Sequence, residues 1–205
     1  MPFTAQHIKA ARLHLQKSDP VMRQIIKRVG PFTGKTSRNR FLTLVRSIIG
    51  QQISVAAARS ILGRLETLVE PESISPTSLV GYSIDDLREA GISRQKAGYI
   101  LDLASKVHNG TVDLKLMSRK DDETAIAELT QIKGIGVWTA QMFLMFSLGR
   151  MDVLPTDDLG LQNAIMAAYD VRGELTKQKF EKIAEAWRPH ATIACWYLWQ
   201  SLETP

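Results

Sequence analysis

Cysteine is almost missing from this chain of 205 residues, which holds only Cys195. A lone thiol forms no internal disulfide and cannot supply the four ligands of an iron–sulfur cluster. Histidine is also sparse, and His7, His14, His108 and His190 are scattered rather than set at metal-ligand spacing. No stretch approaches the roughly 18–20 uninterrupted apolar residues of a membrane helix. The opening residues, MPFTAQHIKAARLHLQKSD, lack an apolar h-region and a small-residue cleavage site, so no secretory leader is expected and the protein reads as cytoplasmic. Strand signals are equally scarce, with little period-2 alternation and no turn dipeptide between apolar runs. Repeats, low-complexity tracts and linkers do not occur either.

What is present suits a globular helical protein. Hydrophobic residues make up 44% and charged residues 23%. The length allows one domain with a real core, or two small helical lobes sharing a cleft. The 26 basic and 21 acidic residues leave a net charge of +5, which suits a nucleic-acid partner without requiring one. Lys27, Arg28, Lys35, Arg38 and Arg40 gather around GPFTGKTSRNR, either as a contact surface or as a solvated loop.

Apolar spacing and caps predict a succession of helices. QHIKAARLHLQK is the first. Asp19-Pro20 breaks it and starts PVMRQIIKRV, which Gly30 ends. A helix closes near Gly50, and the next is N-capped by Ser54. PESISPTSLVGYS reads as loop and short turn. Ser83 and Asp86 have capping-box spacing, with a stop at Gly91. SRQKAGYILDLASKVH ends at Asn109-Gly110. DDETAIAELTQI, GVWTAQMFLMFSLG, DLGLQNAIMAAYDV, TKQKFEKIAEAW and PHATIACWYLWQSL complete an all-α chain.

The segment LTQIKGIGVWTA reads as helix, tight turn and helix. Glycine at 134 and 136 permits positive φ and close approach of other backbone. The amides that open the following helix have no internal partners and lie at its positive end, a suitable grip for a phosphate oxygen. Such a contact ignores base sequence. The plain alternative is a corner in which glycine only allows a sharp bend.

This segment resembles the hairpin of the helix–hairpin–helix DNA glycosylase superfamily. SLGRMDVLPTDDLGLQNAI resembles the loop that follows it and carries an essential aspartate. SIIGQQISVAAA and WRPHATIACWYLW resemble two further signatures, of the compact 3-methyladenine DNA glycosylase II branch. The four motifs stand in family order over residues 47–199. The resemblance implies two helical lobes with a cleft between them, one of about residues 41–147 with the hairpin, the other of about 1–40 plus 148–205. It implies the compact form, without the β-rich N-terminal domain of some relatives.

The implied activity is that of a monofunctional glycosylase of base excision repair. It would hydrolyse the N-glycosidic bond of alkylated purines such as 3-methyladenine and 7-methylguanine after base flipping, leaving an abasic site. On chemistry alone either Asp157 or Asp158 could supply the carboxylate; the resemblance selects Asp158, leaving Thr156 or Asp157 to cap the helix. A fixed carboxylate stabilises the oxocarbenium-like sugar and can orient or deprotonate water. Bifunctional relatives carry a lysine nucleophile where this chain has Trp138, so no Schiff base is expected; Lys133 lies before the first glycine.

Trp138, Met142 and His190 fall at base-pocket positions of the family, where stacking selects cationic bases. The alternative for Trp138 is core packing on an amphipathic helix. Trp187, Trp196, Tyr197 and Trp199 are expected in the core or at a lobe interface. The DNA-facing set implied is Gly134, Ile135, Gly136 and Thr139 of the hairpin with Gln51, Gln52, Ile53 and Ser54 of the other turn. Gln52, or else Ile53, would fill the gap left by the flipped base, unless Gln51 and Gln52 only satisfy turn backbone groups. Family hairpins often hold a monovalent cation, Na+ or K+, on main-chain carbonyls, here those of Thr130, Ile132 and Ile135. The chemistry itself needs no cofactor. The expected partner is double-stranded DNA containing damaged bases, met by a monomer that is cytoplasmic and DNA-associated, or nuclear in a eukaryote, with no membrane involved. Two other readings stay open: a glycosylase for uracil, hypoxanthine or 1,N6-ethenoadenine, and a non-catalytic DNA-binding module.

Overall fold

The computed structural model describes residues 3–203. These hold α1 (Ala5–Ser18), α2 (Pro20–Val29), α3 (Arg40–Gly50), α4 (Val55–Leu68), α5 (Pro76–Leu79), α6 (Ile84–Glu89), α7 (Arg94–His108), α8 (Asp122–Leu129), α9 (Val137–Phe146), α10 (Leu159–Ala168), α11 (Lys177–Ala184) and α12 (Ala191–Glu203), with short 3-10 turns at Leu116–Arg119 and Glu185–Trp187. No strand occurs among the described residues, and none of the helices is long and apolar enough to cross a membrane.

Caps explain where most helices start. The Asp19 carboxylate accepts from the Val21 and Met22 amides at 2.8 and 3.0 Å, and Pro20 opens α2 with its φ already set. Ser54 accepts from the Ala57 amide at 3.2 Å. Ser83 and Asp86 close a reciprocal box, with the Ser83 amide donating to Asp86 at 2.7 Å. Helices α2 and α6 are followed by Gly30 and Gly91, both at positive φ. PESISPTSLVGYS holds more structure than expected: Ser75 and Ser78 form a capping box around Pro76, which supports the single turn of α5. Four residues are too few for apolar spacing to announce a helix.

Two compact units divide the chain, Ser37–Phe143 on the one hand, and residues up to Thr36 with those from Leu144 on the other. The sequence suggested divisions at 40/41 and 147/148; the second division falls inside α9, where no break in composition marks it. In the unit of 37–143, α7 is the central element and packs against α3, α5 and α6. Its Ala97, Ile100, Leu103 and Ala104 are fully buried. In the other unit α12 packs against α1, α2 and α10. Trp187, Tyr197 and Phe180 fill its core, as expected for the first two, and each buried side chain of this size contributes about 1.5–3 kcal/mol. A polar knot sits in that core. Asp19, 5% exposed, accepts from the Trp187 indole at 3.0 Å and the Tyr169 hydroxyl at 2.5 Å. Burial, then the Asp19 charge, hold the Tyr169 phenol protonated, far above its ordinary range. Cys195 is wholly buried, and burial likewise raises its thiol.

Candidate active site and nucleic-acid interface

Helix α8 ends at Leu129, and the chain turns through Ile132 and Ile135, whose side chains are 1% and 4% exposed. The Ile132 amide donates to the Leu129 carbonyl at 3.1 Å, and the Ile135 amide to the Ile132 carbonyl at 3.1 Å. Gly134 has φ +80, and a Cβ there would lie 2.1 Å from the Tyr99 ring. The two glycines are therefore not equivalent. Only Gly134 needs positive φ, and what approaches it is a side chain, not backbone. Gly136 faces open space, and its carbonyl accepts the Ala140 amide at 3.0 Å, the first bond of α9. The amides before Ala140 thus precede the helix ladder at an exposed turn. Thr139, expected with the DNA-facing set, is 6% exposed, so its side chain is withdrawn from the surface. Of the three carbonyls assigned to a cation, that of Ile132 already accepts the Ile135 amide.

The turn from Gly50 to Ser54 lies in the same unit. The Gln51 amide side chain donates to the Gly134 carbonyl at 2.9 Å. Gln51 does satisfy a turn backbone group, but that of the hairpin, not its own. Gln52 is exposed and adopts φ 57, a left-handed conformation uncommon outside glycine. Ile53 is 37% exposed, and Ser54 caps α4.

Asp158 is the N-cap of α10. One carboxylate oxygen, Oδ1, accepts from the Leu161 amide at 2.6 Å and from the Trp199 indole N–H at 3.0 Å. This corrects the expectation that Thr156 or Asp157 caps the helix. The chain bends at Pro155–Asp158, where the Asp158 amide donates to the Pro155 carbonyl, and helical dihedrals begin only at Leu159. Asp157 is exposed, while the Thr156 carbonyl accepts from Gln162 at 2.7 Å. The preceding strap, residues 150–153, is laced to the start of α12. Thr192 donates to the Arg150 carbonyl at 2.7 Å and accepts from the Val153 amide at 3.1 Å; Asp152 accepts from the Ala191 amide and pairs with Arg188 at 3.1 Å. Trp199 was expected only as core. Its partner lies 41 positions away in the sequence, so no local pattern could have announced it.

The three predicted pocket residues are placed differently. Trp138, in the first turn of α9, is 44% exposed, and Met142 is half-buried one turn on. His190 lies against His14 of α1, with ring centroids 5.3 Å apart. Its Nδ1 is buried without a hydrogen-bond partner among the described residues. Burial, then the neighbouring His14, keep His190 below the usual imidazole range, with Asp152 pulling the other way. Among the described residues no three His, Cys, Asp or Glu side chains gather as a metal set.

Comparison with known proteins matches residues 45–189 to the HhH-GPD superfamily base excision DNA repair protein model. The chain is 31% identical over 197 residues to the alkylbase DNA glycosidase-like protein mag2 of Schizosaccharomyces pombe, covering 94% of this chain and 92% of that one. A DNA-3-methyladenine glycosidase from Bacillus halodurans is 39% identical, with a TM-score of 0.83 over 92% of this chain and 87% of that one. A Schizosaccharomyces pombe 3-methyladenine DNA glycosylase, solved in complex with abasic DNA, is 31% identical with a TM-score of 0.80, covering 93% and 95%.

Proposed function

Because the chain belongs to the HhH-GPD superfamily of base excision DNA repair proteins, we propose that it is a monofunctional DNA glycosylase that removes alkylated purines from duplex DNA. The observation that carries this reading is the Asp158 carboxylate, fixed by the Leu161 amide and the Trp199 indole N–H. An N-alkylated purine is already cationic and leaves without much help from an acid. The barrier then lies in the positive charge that grows on the sugar, and a preorganised carboxylate stabilises it. The same carboxylate can orient the attacking water. Trp138 offers an exposed ring on which a cationic base stacks. The hairpin amides opening α9 bind a backbone phosphate, while Gln52, or Ile53 beside it, enters the gap left by the flipped nucleotide. The position of Trp138 offers no amine, so cleavage ends at the abasic site without a strand nick.

The test uses DNA treated with a methylating agent, the purified protein and Asp158→Asn. Asparagine caps a helix as well as aspartate does, so α10 keeps its start. Wild type should release 3-methyladenine and 7-methylguanine, and the variant should be slower by at least about 100-fold while still binding abasic DNA. Release of another base alone would move the substrate. Binding by both proteins without release of any base would leave a DNA-binding module.

A further inference from the structure

Helix α7 carries Lys96, Tyr99, Asp102 and Lys106 at spacings that put them on one stripe. Each touches one of the two turns assigned to DNA. The Lys96 ammonium donates to the Ile49 carbonyl at 2.8 Å and the Gln51 carbonyl at 2.5 Å. These are carbonyls at the C-terminal end of α3, where intrahelical donors run out and a cation is favoured. The Tyr99 ring occupies the space that the missing Cβ of Gly134 leaves, and its hydroxyl accepts from Gln95 at 2.7 Å. Asp102 accepts from the Lys133 amide at 2.9 Å and from Lys106 at 2.8 Å. Lys106 in turn donates to the Gln131 carbonyl at 2.6 Å. The Gln51 side chain, bonded to the Gly134 carbonyl, closes the circuit.

We propose that this stripe of α7 holds the 50–54 turn and the hairpin as one rigid body, with Lys96 and Asp102 as the positioning residues. The proposal rests on the glycosylase reading above. Two loops that must meet one DNA duplex, one at a phosphate and one in the base stack, bind weakly if each is ordered separately at the moment of binding. The α7 contacts order both during folding and fix their spacing. Burial lowers the pKa of Lys96, yet its two carbonyl partners still take a charge-assisted bond. Around Asp102 burial opposes ionisation, and Lys106 with the Lys133 amide outweighs it, so the carboxyl sits below its ordinary range. These groups fasten the two turns of the 37–143 unit, whereas Asp158 belongs to the other unit, so their loss should weaken DNA binding rather than slow bond cleavage in the bound complex.

The experiment compares wild type with Lys96→Met, Lys96→Arg, Asp102→Ala and Asp102→Asn. For each, the dissociation constant for a duplex holding a tetrahydrofuran abasic analogue is measured. The single-turnover rate of 7-methylguanine release is measured at saturating protein, and the midpoint of thermal unfolding is recorded. Lys96→Met and Asp102→Ala should weaken binding about tenfold and change the saturated rate less than twofold. Lys96→Arg and Asp102→Asn, which keep a donor and an acceptor in place, should recover most of the affinity. The proposal is overturned if folded Lys96→Met and Asp102→Ala bind as wild type does, or if the saturated rate falls while affinity holds. Should either of those two fail to fold, Lys106→Met, which removes the donor to the Gln131 carbonyl and to Asp102, takes its place with the same expected loss. Wild type that neither binds the analogue nor releases a base would instead overturn the glycosylase reading, whatever the variants do.

Discussion

Asp158 opens α10 and, in the proposed function, also presents its carboxylate to the sugar, and one oxygen meets the demands of the first duty. Oδ1 takes both the Leu161 amide and the Trp199 indole N–H, so the group cannot rotate without losing two donors. Trp199→Phe keeps an aromatic ring beside Phe146, whose centroid lies 6.2 Å from the indole, but removes the N–H. A hydrogen bond to a charged acceptor is worth about 1.5–3 kcal/mol. Single-turnover excision should therefore slow by roughly tenfold or more, with affinity for abasic DNA unchanged. A rate within twofold of wild type would reduce Trp199 to packing. The hairpin offers a second comparison. Gly134→Ala meets both the positive φ and the Tyr99 ring and should cost about 1–3 kcal/mol. Gly136→Ala points a methyl into open space and should cost under about 1 kcal/mol, the difference between the two residues at a cap. Urea denaturation of the pair checks this, and equal losses would refute the distinction.

At the level of helices, local chemistry was readable and distant chemistry was not. Ser54, Ser83 with Asp86, and the Asp19-Pro20 break act over three residues or fewer, and each starts its helix as its sequence implies. Helix α5 escaped notice because one turn has no period. The start of α10 was misjudged because any of three consecutive side chains could cap, and the bend at Pro155 decides among them. The carboxylate loop and the GIG turn were visible in the sequence only as motifs. Their fastening to Trp199, Tyr99 and Asp102 comes from helices far along the chain and has no local signature. The same holds for Asp19, legible as a helix breaker but not as the centre of a buried knot with Tyr169 and Trp187. Asp19→Ala removes a cap and leaves the indole and phenol with only each other, 3.1 Å apart. It should destabilise the protein by about 3 kcal/mol, read as a lower urea midpoint with an unchanged slope. Asp19→Asn, which keeps the cap, should lose less.

The molecule as a whole carries a net charge of +5, and its proposed ligand is a polyanion. Binding to duplex DNA should weaken steeply with salt, with a log–log slope near −0.9 for each phosphate neutralised. A fluorescence-anisotropy titration across potassium chloride concentrations measures that slope. An affinity indifferent to salt would mean that phosphates contribute little and that the hairpin is not a phosphate grip. Large-scale organisation matters in a second way, through the order in which the chain is made. Helix α2 buries Met22, Ile25 and Ile26 and packs against α12, and the Tyr197 hydroxyl donates to the Gly30 carbonyl at 3.0 Å. The unit of 37–143 is continuous in sequence, so all its parts have left the ribosome while α2 still waits for α12. At roughly 5–20 residues per second that wait lasts about 10–35 seconds. Through this interval α2 has α1 beside it but lacks its α12 partner, so apolar surface on this helix pair awaits the last helix and a chaperone would find it at the N-terminal end of the nascent chain, not at its centre.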